Sequence, residues 1–180
     1  MDDLPSRMDA GDDEPRMDGA ILRPSRLDVA LYEPEIPGNA GGVARLCGAT
    51  GSPLHLIGRL GFSFDHPKAR RAVMDYWGNV TSHRHVAWED FAEATAGRRV
   101  WMLTTRAERT LWEADFAPDD VLLFGPESRG LPAHLIEADP DRAIRIPMLP
   151  TARSLNLSTA VGITLYEALR QVGQGRGNRE

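Results

Sequence analysis

The sequence predicts an α/β domain with a mostly parallel sheet and helices on both faces. Three observations carry this. Short apolar runs alternate with helical patterns between residues 27 and 172. The length of 180 residues, with 42% hydrophobic and 26% charged residues, suits one domain with a full core. Three of the strand-like runs lead into loops that mix Gly or Pro with small polar residues.

The elements follow in order. "LDVALYE" (27–33) has the run of a buried strand. "NAGGVARLCGAT" (39–50) has a helical pattern, with Asn39 as candidate N-cap and Gly51 as its stop. "PLHLI" (53–57) is a second strand, and helices are expected over 66–76 and 87–95. "RRVWMLTT" (98–105) and "DVLLFG" (120–125) are strands, and "PAHLIEA" (132–138) is a short helix. "AIRIP" (143–147) is the last strand. "LNLSTAVGITLYEALRQV" (155–172) is the longest helix, apolar over much of its surface at Val161, Leu165, Ala168, Leu169 and Val172. Residues 1–26 lack apolar periodicity and are rich in Asp, Pro and Gly, so a disordered acidic tail is expected. A frayed tail is expected over 173–180.

Composition excludes several classes. No apolar run approaches the roughly 20 residues of a membrane span, and the N-terminus lacks the apolar stretch of a secretory signal. Cys47 is the sole cysteine, so neither an intrachain disulfide nor a cysteine-rich zinc site is expected. A cytoplasmic protein without metal or membrane partner follows. The net charge is −5, with no basic stripe to announce a nucleic-acid binder. Local basic clusters remain at Lys68, Arg70 and Arg71 and at Arg142 and Arg145, with Arg129 and Arg153 beside polar loops. Solvated surface is the simpler account of each.

In parallel sheets, ligands sit beyond the carboxyl ends of strands. That rule singles out "PEIPGNAGGVAR", "GPESRGLP" and "PMLPTARSLNLS". In the first, Val43, Leu46, Cys47 and Thr50 mark a buried helix face, and Arg45 points about 200° from Val43. Two glycines in a first turn cost helix stability, about 1 kcal/mol each against alanine. Either they allow close helix packing, or they clear room for a ligand beside Arg45. In the second loop, Gly125 and Gly130 let the backbone approach a ligand. Glu127 between them is a general base, an orienting acceptor or a loop carboxylate. In the third, Ser154 and Asn156 are candidates for both a helix cap and a ligand contact. "GNAGGVAR" matches the dinucleotide fingerprint poorly, and no phosphate-loop, zinc-protease or nucleophile-elbow motif is present. His83 and His85 lack a third metal ligand at a recognisable spacing, so a polar surface segment is expected there. Trp77, Trp88, Trp101 and Trp112 are expected in the core or an interface.

Together and in order, "LYEPEIPGNAGGVARLC", "LLFGPESRGLP" and "IRIPMLPTARSLNLSTAVGITLYEA" resemble the three motifs of the SPOUT RNA methyltransferases. Within that family they are similar to the small TrmL (YibK-like) tRNA 2′-O-methyltransferases. "GFSFDHPKARRAVMDYW" and "WMLTTRAERT" fall where that subfamily has similar segments. The resemblance covers residues 27–172, with Gly38 and Gly41–Gly42 as mild departures and the acidic tail outside it.

The resemblance implies a deep C-terminal trefoil knot, an obligate homodimer and bound S-adenosylmethionine. Carried over by position, the cofactor contacts are Leu103, Thr104, Gly125, Glu127, Gly130, Ile146, Met148, Ser154, Leu155 and Asn156. The implied reaction is 2′-O-methylation of the wobble nucleotide (position 34, cytidine or modified uridine) in the anticodon loop of tRNA, leucine tRNAs among them. The family pattern places Arg45 at the 2′-hydroxyl. A guanidinium with a pKa above about 12 is a poor base, so Arg45 is expected to clamp the nascent alkoxide. Glu127 would orient it or water would take the proton, and Asn39 and Ser154 would help hold the guanidinium. Three alternatives stay open: a non-catalytic RNA-binding or assembly factor, a methyltransferase acting at another tRNA or rRNA site, and an unrelated α/β nucleotide-binding enzyme.

Overall fold

The computed structural model describes residues 25–63 and 80–173. Among these, six strands form one sheet: β1 (Asp28–Tyr32), β2 (Leu54–Ile57), β3 (Ser82–His85), β4 (Val100–Leu103), β5 (Val121–Phe124) and β6 (Ala143–Ile144). Their order is β3-β2-β1-β5-β4-β6, and every pairing is parallel. The order reverses between β1 and β5. This switch point opens a crevice at the strands' carboxyl ends.

Side-chain alternation along the strands gives the sheet two apolar faces. Val29, Leu31, Leu54, Leu56, Trp101, Leu122, Phe124 and Ile144 form one core with α1 (Pro37–Thr50) and α4 (Leu157–Gln171). Ala30, Ile57, Met102, Val121 and Leu123 form the other with α2 (Trp88–Ala94) and α3 (Ala133–Ala138). Helices therefore cover both faces, as the alternation predicts. Val161, Leu165, Ala168 and Leu169 are buried in this chain's own core, which accounts for the apolar surface of the terminal helix.

Several boundaries differ from expectation for local reasons. α1 starts at Pro37, not after Asn39, with Ile36 at the cap position. Proline fits the first helical position because its φ is preset and its missing N–H would have no helical partner. Gly51 does end the helix, in a left-handed conformation at φ 69°. Ser25 and Arg26, expected in the tail, are held against the domain. Ser25 N–H donates to the Thr50 carbonyl, and Arg26 pairs with Asp119 at 2.6 Å. The rest of that tail, the helix expected over 66–76, Trp77, the Lys68 cluster and residues 174–180 lie outside the described residues. Trp101 is fully buried and Trp88 packs on the second core, but Trp112 is 75% exposed.

The segment around His83 and His85 is a strand, and the polar surface expected there holds for Ser82, His83 and Arg84, which are exposed. Its sequence, SHRH, carries no apolar alternation because those three residues are exposed. His85 is nonetheless buried and joins a polar chain across the sheet. Asp28 Oδ2 accepts from His55 Nε2 at 2.9 Å and from Arg98 at 2.5 Å. His55 Nδ1 lies 2.8 Å from His85 Nε2, with the ring planes 14° apart. Since His55 Nε2 donates to the carboxylate, its other nitrogen accepts the His85 proton in the neutral pair. Burial raises the Asp28 carboxyl, but the His55 and Arg98 bonds outweigh it and hold it below the usual range.

Burial, then His55 and His83, push His85 below its ordinary 6.5, against the opposing pull of Asp90. The unfolded chain therefore binds the His85 proton more readily than the folded one. The stability from neutral His85 is complete above pH 6.5 and is lost as pH falls through the lowered folded value. Denaturant titrations below pH 6.5 should show wild-type stability falling with acid, by up to about 1.4 kcal/mol per pH unit from this one proton. His85→Gln should flatten that slope; an unchanged slope would exclude His85 as its source.

Candidate functional site

Four strand ends open onto one cavity of about 540 Å³. Its wall includes all ten positions expected to touch a cofactor: Leu103, Thr104, Gly125, Glu127, Gly130, Ile146, Met148, Ser154, Leu155 and Asn156. Asn39 also lines it, as do Ile36, Thr105, Arg106 and Phe124, which the sequence reading did not single out. Phe124 is legible in retrospect as the last residue of β5. Arg106 carried no signal, because nothing local fixes the path of the loop after β4.

Gly125 has a definite structural reason. A Cβ there would lie 2.3 Å from the Leu131 backbone nitrogen and 2.5 Å from the Gly130 carbonyl carbon. The loop folds back on itself at this point, and Gly130 turns it with φ at 69°. Thus Gly125 lets the loop pass its own backbone, and the loop then forms part of the cavity wall. Of the two α1 glycines weighed, Gly42 takes the packing reading, since a Cβ there would meet Ser158 of α4 at 3.0 Å; Gly41 is buried.

Three loops are tied by one hydrogen-bonded chain. The Glu127 carboxylate accepts from Glu35 N–H at 2.9 Å, Ile36 N–H at 3.3 Å and Asn39 Nδ2 at 2.9 Å. α1 has neither a side-chain cap nor an acid in its first turn. Glu127 supplies that missing charge from another loop, at the positive end of the helix dipole. Asn39 Oδ1 accepts from Asn156 Nδ2 at 2.8 Å. Asn156 Oδ1 in turn caps α4, accepting from Ser158 N–H at 3.0 Å and Thr159 N–H at 3.3 Å. Asn39 is therefore a link in this chain, not a cap. Asn156 is the helix cap the sequence suggested, and it faces the cavity as well.

The remaining catalytic candidates are placed differently. Ser154 is exposed on the cavity rim. Arg45 is exposed on α1 and is not part of the cavity wall. It sits six residues beyond Asn39, about 9 Å along the helix axis. Arg129, expected beside a polar loop, lies on the cavity wall and is paired with Glu33 and Glu35. Cys47 is buried, which pushes its thiol up to about 12 and leaves no reactive thiolate. Among the described residues, no cluster of three or more His, Cys, Asp or Glu could hold a metal ion, and no helix is long and apolar enough to cross a membrane.

The direction of the amide chain makes it testable. Asn39→Asp would set a second carboxylate against Glu127, where only a donor fits. In denaturant titrations at pH 7, Asn39→Asp should destabilise the fold beyond Asn39→Ala by about 1 kcal/mol or more. Equal losses in the two variants would contradict the chain as described.

The model of the SpoU rRNA Methylase family matches residues 26–166. A tRNA (cytidine(34)-2′-O)-methyltransferase of Aeromonas hydrophila is 48% identical over 148 residues, covering 82% of this chain and 95% of the relative. A solved structure described as giving insights into 2-OH methylation of C/U34 on tRNA superposes with a TM-score of 0.78 at 49% identity. It covers 83% of this chain and 97% of that one. An AdoMet-bound rRNA methyltransferase from Sinorhizobium meliloti superposes at 0.72 with 31% identity, over 83% of this chain and 57% of its own. With its motif loops gathered around one cavity and this breadth of similarity, the chain belongs to the SpoU methylase family.

Proposed function

We propose that this protein is a tRNA 2′-O-methyltransferase that uses S-adenosylmethionine to methylate the ribose of the wobble nucleotide, cytidine or uridine 34. The cavity carries the reading, because every position expected to touch the cofactor lies on its wall. Its volume of about 540 Å³ falls within the roughly 300–1,000 Å³ of small-molecule sites. Leu103, Ile146, Met148 and Leu155 give it apolar surface suited to an adenine ring, and Ser154 and Asn156 give it polar groups. When bound, S-adenosylmethionine supplies a methyl group that is already activated.

This chain's residues then have three tasks. The cavity walls hold and orient the donor and exclude water from it. Arg45 stabilises negative charge on the 2′-oxygen as its proton leaves. Glu127 keeps its oxygens on Glu35, Ile36 and Asn39, so we assign it to holding α1 in place. Water takes the proton. Ser154, exposed on the rim, helps hold the donor or the Arg45 guanidinium.

A homodimer, a C-terminal trefoil knot and a cytoplasmic setting belong to the same proposal. For the dimer, the support is that α4 leaves Ile163 and Tyr166 41% and 49% exposed. Incubation with bulk tRNA should yield S-adenosylhomocysteine, and mass spectrometry of ribonuclease fragments should find the methylated ribose at position 34 of tRNA, leucine isoacceptors included. Product on rRNA alone, or none, would overturn the reading.

Arg45 gives the sharper test. Arg45→Ala should lower methyl transfer by at least about a hundredfold, the cost of one preorganised charge-stabilising donor. Cofactor affinity and melting temperature should barely change, since Arg45 is exposed and off the wall. Arg45→Lys should recover only part of the activity, because lysine lacks the planar fork. Near-normal turnover of Arg45→Ala at saturating tRNA would make Arg45 a phosphate contact instead.

A further inference from the structure

The contact between the first loop and the loop after β5 runs in both directions. Glu127 accepts from Glu35 N–H, as described, at 2.9 Å. The Glu35 carboxylate returns the bond, accepting from Ser128 N–H at 2.9 Å and Ser128 Oγ at 2.7 Å. Each loop thus offers its carboxylate to the other's backbone. Arg129 closes the contact, donating to Glu35 Oε1 at 3.1 Å and to Glu33. The Ser128 bonds hold the Glu35 carboxyl below its usual range, with a further pull from Arg129.

The clasp fixes backbone that the sequence does not favour. Glu33 sits at φ 45°, the left-handed region that non-glycine residues rarely occupy. A Cβ on Gly61 would lie 2.7 Å from Glu35 Cα and 2.8 Å from its carbonyl oxygen. The first loop is therefore pressed between the loop after β2 and the loop after β5, with no slack on either side. Directly beyond it lies α1, which carries Asn39 and Arg45.

We propose that Glu35 is a positioning residue: through this reciprocal clasp it fixes α1, and with it Arg45, relative to the loop after β5 that walls the cavity. The inference rests on the methyltransferase reading above. Glu35 touches neither reactant in this account. It sets the angle at which α1 leaves the sheet, and displacement of about 1 Å at a reacting pair costs on the order of a hundredfold in rate.

The test uses the full chain with Glu35→Gln, Arg129→Met and the double variant. Glutamine keeps the size but loses the charge and one of the two acceptor oxygens. At saturating tRNA and cofactor, Glu35→Gln should lower kcat at least about tenfold, as expected of misalignment. KM for tRNA and Kd for S-adenosylhomocysteine should each stay within about threefold, which is the split expected when alignment rather than uniform binding is lost. The double variant should be no worse than Glu35→Gln, because both act through one clasp. Hydrogen exchange should speed up at the Glu35, Ile36 and Ser128 amides. Should Glu35→Gln fail to fold, Arg129→Met carries the same measurements. Exchange that speeds up with normal kcat overturns the proposal. So does a loss confined to the Kd of S-adenosylhomocysteine, which would make Glu35 a support of the loop after β5 alone. A wild-type protein inactive on every RNA overturns the methyltransferase reading itself, and this proposal with it.

Discussion

The direction of two asparagine amides organises the site. A carboxylate can only accept, and the free N–H groups at a helix start can only donate. Glu127 stands at one end of the chain and the first turn of α4 at the other. Asn39 must therefore turn its nitrogen to Glu127 and its oxygen to Asn156, and Asn156 must turn its oxygen to α4. Both ends demand the same orientation, so neither amide has a second good arrangement. Segments 88 and 117 residues apart in sequence are thereby held in one register. The bonds are modest singly, about 1 kcal/mol each. Their value lies in leaving one geometry without a competitor.

Close backbone approach is the other half of the constraint. Gly125 and Gly61 each stand where a side chain would strike backbone, and Gly42 stands where one would strike Ser158. Hydrogen bonds of 2.7–2.9 Å between loops require the loops to lie almost in contact. Any side chain at these positions would hold them apart. The glycines and the polar chain are therefore one device. The first permits the approach, and the second fixes its orientation.

The elements were legible where pattern is local. The alternation of apolar runs gave strands and helices within a few residues, because burial on both sheet faces leaves a direct mark on sequence. Gly51 and Asn156 were legible as helix ends for the same reason. β3 was not, because three of its four residues are exposed and leave no apolar mark. His85 was missed with it, since its burial depends on Asp28, His55 and Phe91 from other elements. The motif loops could be chosen from the strand-end rule and the family resemblance. Their partners could not: nothing in "PEIP" says that Glu35 meets Ser128, 93 residues away. Asn39 shows the same limit, having the composition of a cap and the position of a link.

This arrangement also bears on how two reactants can be aligned on separate elements. The cavity is built from strand ends and the loops after β4, β5 and β6, whereas Arg45 rides on α1, outside the wall. Methyl transfer in line demands that donor and acceptor meet within a fraction of an ångström. Flexible side chains spanning two mobile loops could not supply that precision. Here the link runs through backbone N–H groups and short, charged acceptors, which move only when the chain itself moves. α1 enters the site already oriented by Glu127 and Asn39, and its first turn is part of the cavity wall. Orientation of the charge-stabilising group proposed here, Arg45, is thus built in before the substrate arrives, the condition under which a fixed dipole or charge contributes most to catalysis.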